Sequence, residues 1–317
     1  MKRIGILTRD CAGVNACIRA VVRTADSYGI EVMGIFRGYD GLINGELRPL
    51  THRSVSGIIN LGGTVLKASR SKRFLTEEGQ LKAIDTIKRN KIDGIIVIGG
   101  NGSLTGAHIL ASKYGIKTIG VAATIDNDVN SIDLTIGSDT ALNVALDALD
   151  KIRDTATSLE RIFVVEVMGR ECGYIASRVA LAGGCEEVLL PEKEYDIENM
   201  CEEIMEGNTR GKISWIIIVA EGKGKAHDIA AKITEITELE TRVVVLGHVQ
   251  RGGRPTALDR ILAAVYGNFA VEVLKDGETD KCVGLKNYAL NIIPLEEAIK
   301  HKDIEIENYY RLLKVLI

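Results

Sequence analysis

Short apolar runs rich in β-branched residues recur along the whole chain: RIGILT at 3–8, VMGIF at 32–36, GIIVIGG at 94–100, KTIGVAA at 117–123, IFVVEVMG at 162–169, EEVLLP at 186–191, WIIIVAEG at 215–222 and RVVVLGH at 242–248. Between most of them lie helix-like segments, such as NACIRAVVRTADSYG at 15–29 and EGQLKAIDTIKRN at 78–90. Strand, glycine turn, helix, strand is the signature of βαβ units and a parallel sheet. The runs are nearly all apolar, as strands must be when helices cover both faces. In such sheets ligands bind beyond the carboxyl ends of the strands. The chemistry is therefore to be sought immediately after each run.

Bulk composition narrows the choice of chemistry. At 317 residues the chain is long for one core, so two domains, or one large α/β domain with a lobe, are expected. A net charge of −3 argues against a general nucleic-acid binder, and no stretch approaches the roughly 18 uninterrupted apolar residues that suggest a membrane span. The expectation is a cytoplasmic protein with no membrane partner. There are 33 glycines but only 4 prolines, which suits many tight strand-to-helix turns. Cys11, Cys17, Cys172, Cys185, Cys201 and Cys282 form no C-x-x-C pair, so they read as buried free thiols.

Polar clusters follow the runs: TRDCAGVN at 8–15, GGNGS at 99–103, TIDND at 124–128, MGREC at 168–172, AEG at 220–222 and GHVQRGG at 247–253. Glycines followed by a short amide and a hydroxyl free backbone N–H groups to cradle phosphate at a helix start. In TIDND, an extended backbone would turn Thr124, Asp126 and Asp128 to one face and Ile125 and Asn127 to the other. Alone, such a stretch reads as an Asx-rich turn. Its place at a strand end, close after a phosphate loop, points instead to one Asp as base for a substrate hydroxyl and the other near a metal. Arg161, Arg170, Arg242, His248 and Arg251 sit beside glycine turns or strand edges, and Arg offers the fork geometry that a phosphate dianion accepts.

These motifs, with DKIRDTATSLERIFVVEVMGR, LAGGCEEVLLPE, ETRVVVLGHVQRGGRPTALDRILA and KCVGL, resemble those of bacterial ATP-dependent 6-phosphofructokinases over essentially the whole length. The resemblance implies an α/β fold of two lobes, each a mainly parallel sheet flanked by helices. The larger, nucleotide-side lobe would hold 1–137 plus 251–300, and the smaller, sugar-phosphate-side lobe 138–250 plus 301–317. It implies phosphoryl transfer from ATP to the 1-hydroxyl of fructose 6-phosphate, with Mg²⁺ as cofactor and a homotetramer as the working unit. Asp126 would be the base, with Asp128 beside it, and Thr124 and Arg170 would support the transferring group. Met168, Gly169, Arg170 and Glu221 would hold the sugar. His248 and Arg251 would grip its 6-phosphate, with Arg161 and Arg242 reaching in from a neighbouring subunit. Arg70, Phe74, Gly102, Ser103 and Gly106 match the nucleotide side, where ATP binds and ADP leaves. Arg19, Arg23, Arg153, Glu186, Arg210 and Lys212 match a site for an anionic allosteric effector.

Departures from the family pattern gather on the nucleotide side. The turn at 8–15 is two residues shorter than the usual TSGGDxPGMN, and the pair it lacks is Gly-Gly. Asn101 stands where an Asp normally serves the Mg²⁺ ion, a degenerate metal position. Ala122 and Ala123 replace Pro-Gly, and the Ala123 methyl is expected to crowd the γ-phosphate path. Pyrophosphate-dependent relatives have Asp and Lys where this chain has Gly102 and Ala123, so the donor implied is ATP. The expectation is a kinase with a weakened Mg-ATP site. The alternative is a non-catalytic or regulatory paralogue that binds fructose 6-phosphate. A dinucleotide oxidoreductase does not fit, because no G-x-G-x-x-G follows the first run.

Overall fold

The computed structural model describes residues 1–316. They divide into two compact units, Met1–Thr140 with Arg251–Lys302, and Ala141–Gln250 with 303–316. The first unit contains β1 (Arg3–Thr8), α1 (Val14–Ser27), β2 (Glu31–Ile35), α2 (Gly38–Asn44), β3 (Leu47–Leu50), α3 (Glu77–Arg89), β4 (Gly94–Gly99), α4 (Asn101–Tyr114) and β5 (Thr118–Ala122). Helix α5 (Ser138–Leu159) leads out of it. The second unit contains β6 (Ile162–Val167), α6 (Tyr174–Ala182), β7 (Glu187–Leu189), α7 (Ile197–Thr209), β8 (Trp215–Ala220), α8 (Ala226–Thr237) and β9 (Thr241–Val245). The chain then returns to the first unit with α9 (Ala257–Lys275), β10 (Lys281–Lys286), β11 (Ala289–Pro294) and α10 (Leu295–Ala298), and ends in α11 (Glu307–Leu316).

The first unit is built on a seven-stranded sheet of order β11-β10-β5-β4-β1-β2-β3. Its five inner strands are parallel, while β3 and β11 pair antiparallel at the two edges. The inner runs are buried as their composition requires; every residue of β4 and β5 is covered. Strand β1 pairs β2 on one side and β4 on the other, so the direction of winding reverses between β1 and β4. That switch point is where open parallel sheets present a ligand crevice. Helix α9 packs along α1, and the crossing is close because Gly267 has no side chain; a Cβ there would lie 2.9 Å from the Ala20 Cβ.

The second unit has a four-stranded parallel sheet of order β7-β8-β6-β9. Strand β9 is an edge, half-exposed along its length, unlike the fully covered β6 and β8. Helix α11 packs on α6, where Arg178 is sandwiched between the rings of Tyr174 and Tyr309, 3.9 Å and 4.3 Å from their centroids. Lys314 adds ion pairs to Glu187 at 2.6 Å and Glu203 at 3.1 Å. Among the described residues no helix is long and apolar enough to cross a membrane.

Candidate active site

The carboxyl ends of β1, β4 and β5 meet over the glycine pair Gly99–Gly100. A Cβ on Gly99 would come within 2.7 Å of the Ser103 Oγ and 3.2 Å of the Arg9 Cγ, and one on Gly100 within 3.0 Å of the Thr124 Cβ. The glycines are there because three strand ends crowd onto them. The Ala123 N–H donates to the Gly99 carbonyl at 3.1 Å, fixing the β5 exit against the loop. Helix α4 starts at Asn101 with no side-chain cap from Gly100, and Gly102 in its first turn has nothing within 4 Å of where a Cβ would stand. Uncapped N–H groups beside open space form an anion-receptive helix start.

TIDND is not an extended stretch. Asn127 takes a left-handed backbone, φ +52°, and the chain bends at Ile125–Asp126. The Asn127 side chain explains the bend: its Nδ2 donates to the Asp133 carbonyl at 3.0 Å and its Oδ1 accepts from the Thr135 N–H at 2.9 Å. Strict alternation therefore fails, and Asp126, only 1% exposed, is covered rather than displayed on an open strand face. Thr124 and Asp126 are nevertheless close: the Thr124 Oγ1 lies 3.3 Å from the Asp126 Oδ2 and accepts from the Asp126 N–H at 3.2 Å.

Asp128 is joined to Asn101, whose Nδ2 donates to the Asp128 carbonyl at 3.2 Å and to its Oδ2 at 3.0 Å. The Asn101 Oδ1 is buried with no hydrogen-bond partner. An orphaned amide oxygen beside a carboxylate is a hard-oxygen pair, the donor type that Mg²⁺ accepts when phosphates and water complete its shell. Among the described residues no group of three or more His, Cys, Asp or Glu is placed to hold a metal alone. Ala123, the residue expected to crowd the γ-phosphate path, is 3% exposed.

The residues matched to a nucleotide side separate into two kinds. Ser103 is buried, and its carbonyl accepts from the Tyr39 hydroxyl at 2.7 Å. The Tyr39 ring stacks on Phe74 at 4.1 Å and passes under Gly106, where a Cβ would lie 2.4 Å from the Tyr39 Cζ. Tyr39 and Phe74 thus support α4 from beneath Gly106, with Phe74 only 3% exposed. Arg70 and Gly102 are exposed. Sequence reasoning passed over Arg9, which follows β1 directly: its N–H donates to the Ile98 carbonyl at 2.9 Å, and its Nη1 donates to the carbonyl of Ser69, Arg70's neighbour, at 2.7 Å. The signal was a basic residue at a strand end, read only as a gap in a glycine motif. Arg251 and Asp126 both act on the buried Cys11 thiol, whose pKa is pushed well up by burial first and then by Asp259, Asp10 and Asp126. Arg251 acts in the opposite direction.

In the second unit, β6, β8 and β9 are adjacent, so their carboxyl ends bring Met168–Arg170, Glu221 and His248 to one edge of the sheet. Arg170 has a left-handed backbone, φ +54°, after Gly169 at φ +146°. Such strain persists only when neighbours hold it. Here the Glu221 Oε1 accepts from the Gly169 N–H at 3.2 Å and the Arg170 N–H at 2.9 Å. Gly222 leaves room for the turn, since a Cβ there would lie 2.0 Å from the Arg170 carbonyl oxygen. Met168 is buried, Arg170 and His248 exposed, and His248 shares the short 3-10 turn Gly247–Arg251 with Arg251. Arg161 and Arg242 both pair with one carboxylate, Glu240, the former through its Nε at 2.7 Å.

Of the residues matched to an effector site, Lys212 pairs with Glu186 at 3.3 Å, and the Arg153 Nη2 donates to the Gly183 and Gly184 carbonyls just before it. These three gather at one turn. Arg210, the C-cap of α7, is exposed and pairs with Glu206 of that helix. Arg19 and Arg23 lie one turn apart on α1, in the first unit, with the Arg23 Nε buried and without a partner.

Comparison with known proteins bears on what these groups do. The family model described as Phosphofructokinase matches residues 3–274. An ATP-dependent 6-phosphofructokinase of Clostridium tetani is 50% identical over 318 residues, covering 100% of this chain and 99% of that protein. One from Clostridium acetobutylicum is 51% identical over 301 residues, 94% of each. Among solved structures, phosphofructokinase from Saccharomyces cerevisiae superposes with a TM-score of 0.87 at 34% identity, over 94% of this chain and 45% of that one.

Proposed function

Because the chain belongs to the phosphofructokinase family, we propose that it transfers a phosphoryl group from ATP to the 1-hydroxyl of fructose 6-phosphate, as a cytoplasmic glycolytic kinase releasing ADP. What carries this reading is the match to proteins named for that activity at 50% identity over the full length. The chemistry of the strand ends agrees with it. Phosphoryl transfer needs little covalent help from a protein; it needs a positioned base and compensated charge. Asp126 accepts the proton of the attacking hydroxyl, with Thr124 beside it to steady the incoming group. Asp128 and the Asn101 Oδ1 would hold Mg²⁺, which would supply charge neutralisation for the phosphates. One charged ligand instead of two weakens that hold without removing it.

Met168, Gly169, Arg170 and Glu221 bind the sugar, and His248 and Arg251 its 6-phosphate. In a homotetramer Arg161 and Arg242 serve the neighbouring subunit, and an anion at Arg19, Arg23, Arg153, Glu186, Arg210 and Lys212 regulates turnover. The first unit is the nucleotide side and the second the sugar side. A coupled assay with ATP, Mg²⁺ and fructose 6-phosphate tests the reading. Turnover should appear and should fall by several orders of magnitude in Asp126→Asn, while calorimetry shows sugar-phosphate binding retained. Binding of fructose 6-phosphate with no turnover in the unaltered protein would leave the regulatory paralogue.

A further inference from the structure

We propose that Arg9 is a phosphate ligand for the nucleotide, its guanidinium taking the place of the backbone amides that the short turn after β1 cannot offer. The inference rests on the reading of the first unit as the ATP side. Arg9 is the first residue beyond β1, at the switch point of the seven-stranded sheet, and its N–H is tied to the Ile98 carbonyl of β4 at 2.9 Å. Its stem crosses Gly99, where a Cβ would stand 3.2 Å from the Arg9 Cγ and 2.7 Å from the Ser103 Oγ. Arg9 therefore converges with the phosphate loop and with Thr124 on one glycine pair.

The hydrogen bond from Nη1 to the Ser69 carbonyl at 2.7 Å anchors the guanidinium. A guanidinium has five donors, so anchoring one on a carbonyl fixes its plane without neutralising its charge. Asp126 and Asp128 are acidic and Asn101 is neutral, so a polyphosphate brought here meets two carboxylates. A fixed cation offsets that repulsion and makes charge-assisted hydrogen bonds to phosphate oxygens. The uncapped start of α4 supplies backbone N–H groups at the same place.

The test is calorimetric titration of ATP, ADP and AMP into the unaltered protein, Arg9→Gln and Arg9→Lys, each with Mg²⁺ and again in EDTA. Gln retains a donor for the Ser69 carbonyl but no charge. Arg9→Gln should weaken ATP about tenfold or more, ADP less and AMP least, in both conditions. Arg9→Lys should recover part of the loss, and fructose 6-phosphate affinity should not change. Equal loss for the three nucleotides would mean that Arg9 only holds the Ser69–Arg70 loop and would overturn the proposal, as would no loss. Should Arg9→Gln fail to fold, the same ordering is read from Arg9→Lys, with severalfold effects. If the unaltered protein binds fructose 6-phosphate but not ATP, the nucleotide reading falls and this inference with it. If it binds ATP and only the phosphate ordering fails, this inference alone falls.

Discussion

Asn101 is where the chemistry of one side chain decides most. Its amide N–H groups bind Asp128, and its oxygen is left buried and unpaired. Asn101→Asp would supply a second charged oxygen for a cation but would also set two carboxylates against each other when no cation is present. The variant should therefore lose on the order of 1 kcal/mol, about 2–4 °C in Tm, in EDTA, and recover it with Mg²⁺ and nucleotide. Turnover should rise only in part, because the short turn at 8–15 still lacks its amides. Adding Gly-Gly after Thr8 to Asn101→Asp should raise turnover by more than the product of the two separate gains, since both act on the same phosphates. If the unaltered protein is as fast as the doubly repaired one, the amide is simply tolerated. That Thr124, Asp126 and Asp128 follow a strand end was legible in the sequence, but their conformation was not. The bend at Asp126 is set by Asn127 bonding to Asp133 and Thr135, contacts that no local spacing announces.

At the level of elements, most inner strands could be read because burial on both faces leaves long apolar runs; β10, inner but short and carrying Lys at both ends, could not. The edge strands β3 and β11 could not, for LRPL and ALNIIP are half-exposed and carry a proline each. Glycines were equally ambiguous. Gly102 and Gly106 lie one turn apart on α4, yet one faces open space and the other the Tyr39 ring, itself locked by Phe74 and by its bond to the Ser103 carbonyl. Gly106→Ala should cost about 1–3 kcal/mol by overpacking, measured by urea unfolding. Gly102→Ala should be neutral or stabilising by up to about 1 kcal/mol, since alanine suits a helix better, while weakening nucleotide binding. Equal effects of the two on stability would refute this division between a packing glycine and a ligand glycine.

Across the whole molecule, the six cysteines report on each unit separately. Cys11, Cys17 and Cys282 belong to the first and Cys172, Cys185 and Cys201 to the second, and all are buried. Burial pushes the Cys185 and Cys282 thiols up to about 12, so the nucleophilic thiolate is scarce as well as covered. Alkylation near pH 8 should be negligible in the native protein. In rising urea, peptide mass spectra should show the cysteines of each unit reacting together, and scattered reaction order would contradict two cooperative units. The first unit is also discontinuous, since its sheet lacks β10 and β11 until after the second unit's strands have been made. A chain ending before residue 280 should therefore sediment with the insoluble fraction, its β5 edge bare. During synthesis at the ribosome, then, every strand of the second unit must emerge between β5 and the strand that closes its edge. Until β10 is made, the nascent chain offers the bare edge of a parallel strand to any neighbour.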